Sequence, residues 1–297
     1  MAARRYRGLP DRLLFHVRAI LENFHFGIHE SVRKGDGMTF AAIRDFQEGE
    51  PLKRVDWMRS LERSHDLDEL LIREFEPEKQ MEVVIMLDAM RGMHVPLRKA
   101  EAAVALLWLS ALSAFKMRDV VRIFVAFDQA EGGIIASPRC VDEQEVNEFL
   151  RAIARGQLQS SIDPGATALD VLGGSLPNDT FVVAISDFER EQKFFAHLAD
   201  RATPSRHSRL LLAVLDGWEG VAPLPALISV QGESGGRRRE IDARPGGELE
   251  LTKRKISEAQ EELLTSAWKR GHIAARIPVF AERPFEELVR KLAIVAT

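Results

Sequence analysis

The chain has 297 residues, 45% of them hydrophobic, and a formal net charge of −4. That is enough apolar material for one large or two small packed domains, and the slight acidity points to no nucleic-acid partner. Its single cysteine, Cys140, excludes an intramolecular disulfide and fits a reducing compartment as an inert thiol.

The opening, MAARRYRGLPDRLL, lacks the apolar core of a signal peptide, and Arg4, Arg5 and Arg7 read as a solvated tail; a cytoplasmic setting is expected. Pro10-Asp11 begins an amphipathic helix with Leu13, Leu14, Val17, Ile20, Leu21 and Phe24 on one face. Gly35-Asp36-Gly37 breaks it. Residues 38–80 are mixed and charged, with one predicted strand over 69–76, so residues 1–80 read as an appended region and 81–297 as the main domain.

From Met81 the rhythm changes. A strand over 82–88 (EVVIMLD) leads to a helix over about 97–117. Within that helix, the run from Ala102 to Phe115 falls short of the ~18 apolar residues of a membrane span and reads as buried instead. Strands at 120–127 and 134–137 flank a Gly-rich turn and form a hairpin. Helical patterns follow at about 142–155 and 166–173, then a strand at 180–186, a helix to about 202 and a strand at 208–215. A second hairpin joins 227–231 to 238–242. A helix over about 256–270, a strand over 272–278 and a helix over about 283–294 close the chain.

This alternation predicts an α/β fold: an open, mostly parallel sheet with helices on both faces and one antiparallel edge strand from the first hairpin. Four apolar runs end on aspartate, at Asp88, Asp128, Asp187 and Asp216. Ligands of such sheets sit beyond the C-terminal strand ends where the strand order reverses, which makes these carboxylates the candidate site residues. Asp128 lies in a turn rich in glycine, where Asp is common. Asp187 has a local rival role, because Ser186-Asp-Phe-Glu189 fits a helix capping box.

Enzyme motifs are few. There is no P-loop, and Gly35-Asp-Gly37 lacks the rest of a dinucleotide fingerprint. Gly232-Glu-Ser234-Gly-Gly236 matches a nucleophile elbow in letters, but it falls in a strand–turn–strand context, which makes Ser234 a turn residue. His25 and His29 read as surface histidines, and Arg237, Arg238 and Arg239 as a solvated hairpin.

The segment FQEGEPLKRVDWMRSLERSHDLDELLIREFEPE carries Gly49-Glu50, Lys53-Arg54, Val55 and Asp56-Trp57. It resembles the diagnostic segment of the bacterial domain of unknown function 58 (DUF58) family. The strand ending at Asp88, the hairpin, Gly165-Ala-Thr167 and the strand ending Ile-Ser-Asp187 are similar to a von Willebrand factor A domain. That resemblance, over roughly residues 40–290, implies a Rossmann-like sheet and a metal-ion-dependent adhesion site. By position, Asp88, Thr167 and Asp187 are its metal ligands, while Met90 and Gly92 stand where two serines are expected. Mg²⁺ requires an octahedral shell of oxygens, and neither a thioether nor a hydrogen supplies one. The expectation is a degenerate site with no resident cofactor, weak Mg²⁺ binding at most, and the Arg91 guanidinium or a partner's cation answering the charge of Asp88.

The rim expected to bind a partner is Asp88, Met90, Arg91, Gly92, Thr167 and Asp187. Around Trp57, the residues Arg54, Asp56 and Arg59 imply a structural anchor for the appended region. The family resemblance further implies a non-enzymatic interaction module, working with a MoxR-type AAA+ ATPase in chaperone-like assembly or maturation, without membrane insertion. The alternative is a metal-assisted hydrolase using Asp88, Asp187 and Asp216.

Overall fold

A computed structural model describes residues 40–47, 55–63, 70–75 and 81–279, apart from 95–96, 129–132, 161, 164, 189–192, 206–207, 218–225 and 231–238. The helices expected over 10–24 and 283–294 lie outside the described residues, as do His25, His29, Arg54 and Ser234. The chain falls into two compact units, one of them Val32–Gln80.

In the smaller unit, β1 (Phe40–Asp45) and β2 (Leu71–Phe75) pair antiparallel, with α1 (Trp57–Arg63) between them in sequence. Neither β1 nor α1 was evident from periodicity. Asp56 is the structural residue here. It is 4% exposed, its carboxylate accepts the Arg59 N–H, and its backbone bonds to Leu71. Ser60 completes the link: its hydroxyl donates to the Asp56 carbonyl at 2.7 Å and accepts the Leu71 N–H at 2.8 Å. Trp57, expected as a buried anchor, is 47% exposed. The reason is helical period. Asp56 and Ser60 lie four apart on the inward face, which turns Trp57, Met58 and Leu61 outward.

In the larger unit, β3 (Glu82–Asp88) leads through a 3₁₀ turn (Arg91–His94) to α2 (Leu97–Lys116). Then come β4 (Val120–Ala126), β5 (Ile134–Ala136), α3 (Glu143–Ala154), α4 (Ala168–Val171) and β6 (Thr180–Ser186). The remainder is α5 (Leu198–Arg201), β7 (Arg209–Asp216), β8 (Leu227–Val230), β9 (Arg239–Asp242), α6 (Glu248–Lys269) and β10 (Ile273–Pro278).

Six strands make one sheet in the order β10-β7-β6-β3-β4-β5. All neighbours are parallel except β5, which runs antiparallel to β4 at the edge, as its hairpin predicts. The central strands are buried on both faces, which is why they read as unbroken Val, Ile and Leu. One face packs on α4, α5 and α6 through Val84, Met86, Val182, Leu198, Leu212 and Leu264. The helix α2 runs against β3, β4, β6 and β7 and is buried all round from Ala102 to Ala114. Among the described residues no helix is long and apolar enough to cross a membrane.

Two elements differ from expectation. The helix α6 begins at Glu248 rather than near residue 256, because its first turns (ELELTKRK) bury only Leu249 and show no apolar stripe. Its N-cap, Gly247, admits no side chain, since a Cβ would lie 2.7 Å from the Asp242 carbonyl and 2.8 Å from that of Arg244. The Arg244 side chain clasps Asp242 at this junction and, with its backbone N–H, draws that carboxyl down to about 2. Between β6 and β7, the described chain is helical only over Leu198–Arg201, entered through His197 at φ 61°. The strands β8 and β9 pair with each other alone, antiparallel, so the Gly-x-Ser-x-Gly stretch joins two strands rather than a strand and a helix.

Candidate binding rim at the switch of the sheet

Strand order reverses between β3 and β6, which pair in parallel register from Glu82 opposite Thr180 to Leu87 opposite Ile185. This register brings Asp88 beside Ser186 at the C-terminal edge. The Ser186 hydroxyl donates to Asp88 Oδ2 at 2.7 Å, while Asp88 Oδ1 accepts the Met90 N–H at 2.9 Å. Ser186 also accepts the Phe188 N–H at 2.9 Å. Both Asp88 (2% exposed) and Ser186 (0%) are inside the protein. Ser186, a candidate helix cap in the sequence, uses its hydroxyl hydrogen on Asp88.

Among the described residues, Lys99 brings a cation to this site. From the first turn of α2, its ammonium reaches Asp187 Oδ2 at 2.7 Å and the Gly92 carbonyl at 3.4 Å. The two side chains are 3% and 1% exposed, so this is a buried, hydrogen-bonded ion pair. The Arg91 side chain, proposed for that charge from sequence, lies outside the described residues. From α6, Gln260 donates its amide to the Asp187 carbonyl at 3.1 Å. The loop after β6 is thus fastened to α2 and α6, and Phe188 follows at φ 51°, a left-handed backbone uncommon for a bulky residue.

The other rim residues face elsewhere. Met90 is partly buried and packs against the apolar core. Gly92 is buried in the 3₁₀ turn. Thr167 caps α4: its hydroxyl donates to Asp170 Oδ2 at 2.8 Å and accepts the Asp170 N–H at 3.1 Å. Its own N–H, donating to that carboxylate, is the largest of the effects that hold the Asp170 carboxyl below the usual range. Asp216 sits at the end of β7, 3.9 Å from the Arg276 guanidinium.

These residues do not fit the Mg²⁺ ligand set that the resemblance implies. Asp187 already holds an ammonium, Met90 and Gly92 lack oxygens in their side chains, and the Thr167 hydroxyl is bonded within its own turn. Among the described residues no three His, Cys, Asp or Glu side chains are grouped to hold a metal ion.

The family profile described as protein of unknown function DUF58 matches residues 42–259. The chain belongs to the DUF58 family. The matched span includes both the Asp56-Trp57 segment and the whole rim, so the two features singled out here belong to one family region. No curated protein and no solved structure shows significant similarity to this DUF58 chain.

Sequence reasoning missed Lys99 and Gln260 as site residues. Lys99 reads as one of three charges flanking an apolar helix, and its signal is only that it opens a segment otherwise buried. Gln260 stands in a stripe with Leu264 and Ala267 that turns inward, a polar residue at a core position and hence one needing a bond.

Proposed function

We propose that this DUF58 chain is a non-enzymatic protein-interaction module on a von Willebrand factor A-like domain, with the Lys99 ammonium standing where that fold type holds a metal ion. The buried Lys99–Asp187 pair carries this reading. The strand order, with its antiparallel edge and carboxylates at the reversal point, supports the fold likeness. The partnership with a MoxR-type AAA+ ATPase in chaperone-like assembly or maturation rests on the family resemblance, and the cytoplasmic setting on the single cysteine.

In this reading Asp88 and Asp187 do not touch a partner. They hold the loops that carry Met90 and Phe188 in one shape, and those loops present the binding surface. Metal-assisted hydrolysis fits less well, since a hydrolytic centre requires carboxylates open to water and substrate, and these are 2% and 1% exposed.

The test is retention of a purified co-encoded AAA+ ATPase on the immobilised chain. Asp187→Asn, which loosens the loop, weakens retention while the protein stays folded by circular dichroism. Retention unchanged by Asp187→Asn, or Mg²⁺-dependent turnover in a phosphatase and esterase panel, would overturn the reading.

A further inference from the structure

A groove of 760 Å³ lies in the larger unit between α6 and the segment around α5. Its floor is apolar: Phe188, Phe195, Ala259 and Leu263 line it, with the two rings meeting edge to face at 5.5 Å. Among the described lining residues, Asp200 stands beside His197 on one side and Glu258, Glu261 and Glu262 on the other, with Lys269. Arg254 bonds to Glu258 and Arg276 lies 3.6 Å from Glu261, so the lining is acidic on balance.

Helical spacing builds this arrangement. Gln260, Leu264 and Ala267 turn into the core. Ala259 and Leu263, four apart, form the adjoining apolar stripe, and Glu258 and Glu262, also four apart, form the stripe beside that. The carboxylates are fixed in place: Glu258 accepts from Arg254 Nε at 2.8 Å, and Asp200 accepts from the Ser266 hydroxyl. Phe188 is fixed as well, since Asp187 before it is tied to Lys99 and Gln260.

We infer that this groove docks a basic amphipathic segment of a protein partner, with apolar side chains on the phenylalanines and lysines or arginines along the glutamates. The charge complementarity excludes phosphate backbones and anionic lipid surfaces, which the same carboxylates repel. An open groove with apolar residues and a lining that is acidic on balance suits a helix that inserts one face. The inference deepens the interaction-module reading by placing the partner's chemistry, and rests on that reading for its biological setting.

The probe is a fluorescein-labelled synthetic amphipathic helix of leucine and lysine, followed by anisotropy, with a leucine–glutamate helix of the same pattern as control. Wild type binds the basic helix and not the acidic one. Glu258→Lys with Glu262→Lys weakens binding about tenfold or more, and raised salt weakens wild-type binding. A charge-matched control on α3, Glu143→Lys with Glu148→Lys, changes it less than about twofold. Should the groove reversal fail to fold, Glu258→Gln with Glu262→Gln replaces it, with a loss of about threefold or more expected. Equal losses in the groove and α3 variants, or no binding by wild type, overturn the proposal. So does self-association of wild type that the groove variant abolishes, which would make a second copy the occupant. No ATPase enters this experiment, so its failure leaves the retention test of the module reading to stand or fall separately.

Discussion

The metal-site resemblance would turn Asp187 and Thr167 toward one ion, yet Asp187 and the carboxylate bonded to Thr167, Asp170, are satisfied in opposite ways. Asp187 is 1% exposed and held by an ammonium from another helix. Asp170 is exposed and bonded to the hydroxyl and backbone of Thr167, three residues away. The first corner is tertiary and dry, and it ties α2, β6 and α6 together. The second is local and wet, and it starts one short helix. A single ion would join the two corners; each has instead a partner that the chain itself supplies. A buried carboxylate needs a cation or several donors, whereas an exposed one is content with a cap.

The contrast has graded consequences. Lys99→Met removes the ammonium from the buried Asp187 carboxylate, and loses about 3–5 kcal/mol in urea unfolding. The double change Lys99→Met with Asp187→Leu recovers much of that loss, since apolar replacement of a whole buried pair is often neutral. Equal damage in single and double variants would mean that shape rather than charge dominates the corner. Ser186→Ala removes one donor from the buried Asp88 and loses about 1–3 kcal/mol by the same measurement. Thr167→Ala loses about 1 kcal/mol, the ordinary value of an N-cap, and leaves the Lys99 corner untouched.

The smallest effect is one of pH. The Asp170 carboxyl is lowered from its ordinary 3.8 by the Thr167 N–H and hydroxyl. Its contribution is therefore complete above that value and disappears as pH falls through the lower folded-state value. Amide exchange at Asp170 should speed up in that acid window in wild type and change little in Thr167→Ala. His272 also loses stability on acidification, but because its neutral form is the one the fold favours. It is 4% exposed, bonded through Nε2 to the Ala202 carbonyl, and lowered by burial below 6.5. The unfolded chain takes up its proton first, so stability falls as pH drops through about 6.5, and His272→Gln flattens that slope.

Much of this was legible in the residues. Strands buried on both faces announce themselves by unbroken apolar runs, and β3 and β6 stand at the expected boundaries. The edge hairpin follows from its Gly-rich turn. What periodicity did not reach is of two kinds. The start of α6 and the whole of α1 have too few inward positions to show a stripe. Lys99 could not be paired with Asp187 from sequence because 88 residues separate them, and only the β3–β6 register and the lie of α2 bring them together. Trp57 is the reverse lesson: an aromatic beside an aspartate reads as an anchor, yet the helix turns the small Ser60 inward and the ring outward.

The central claim is that the Lys99 ammonium holds the place of an ion at the switch of the sheet. Calorimetric titration of Mg²⁺ tests it most directly, with wild type beside Met90→Ser/Gly92→Ser and the same pair combined with Lys99→Ala. Wild type should show no micromolar site, and the two serines alone should not create one while Lys99 remains. Measurable binding should emerge only in the triple variant. A micromolar Mg²⁺ site in wild type, abolished by Asp88→Ala, would contradict the account.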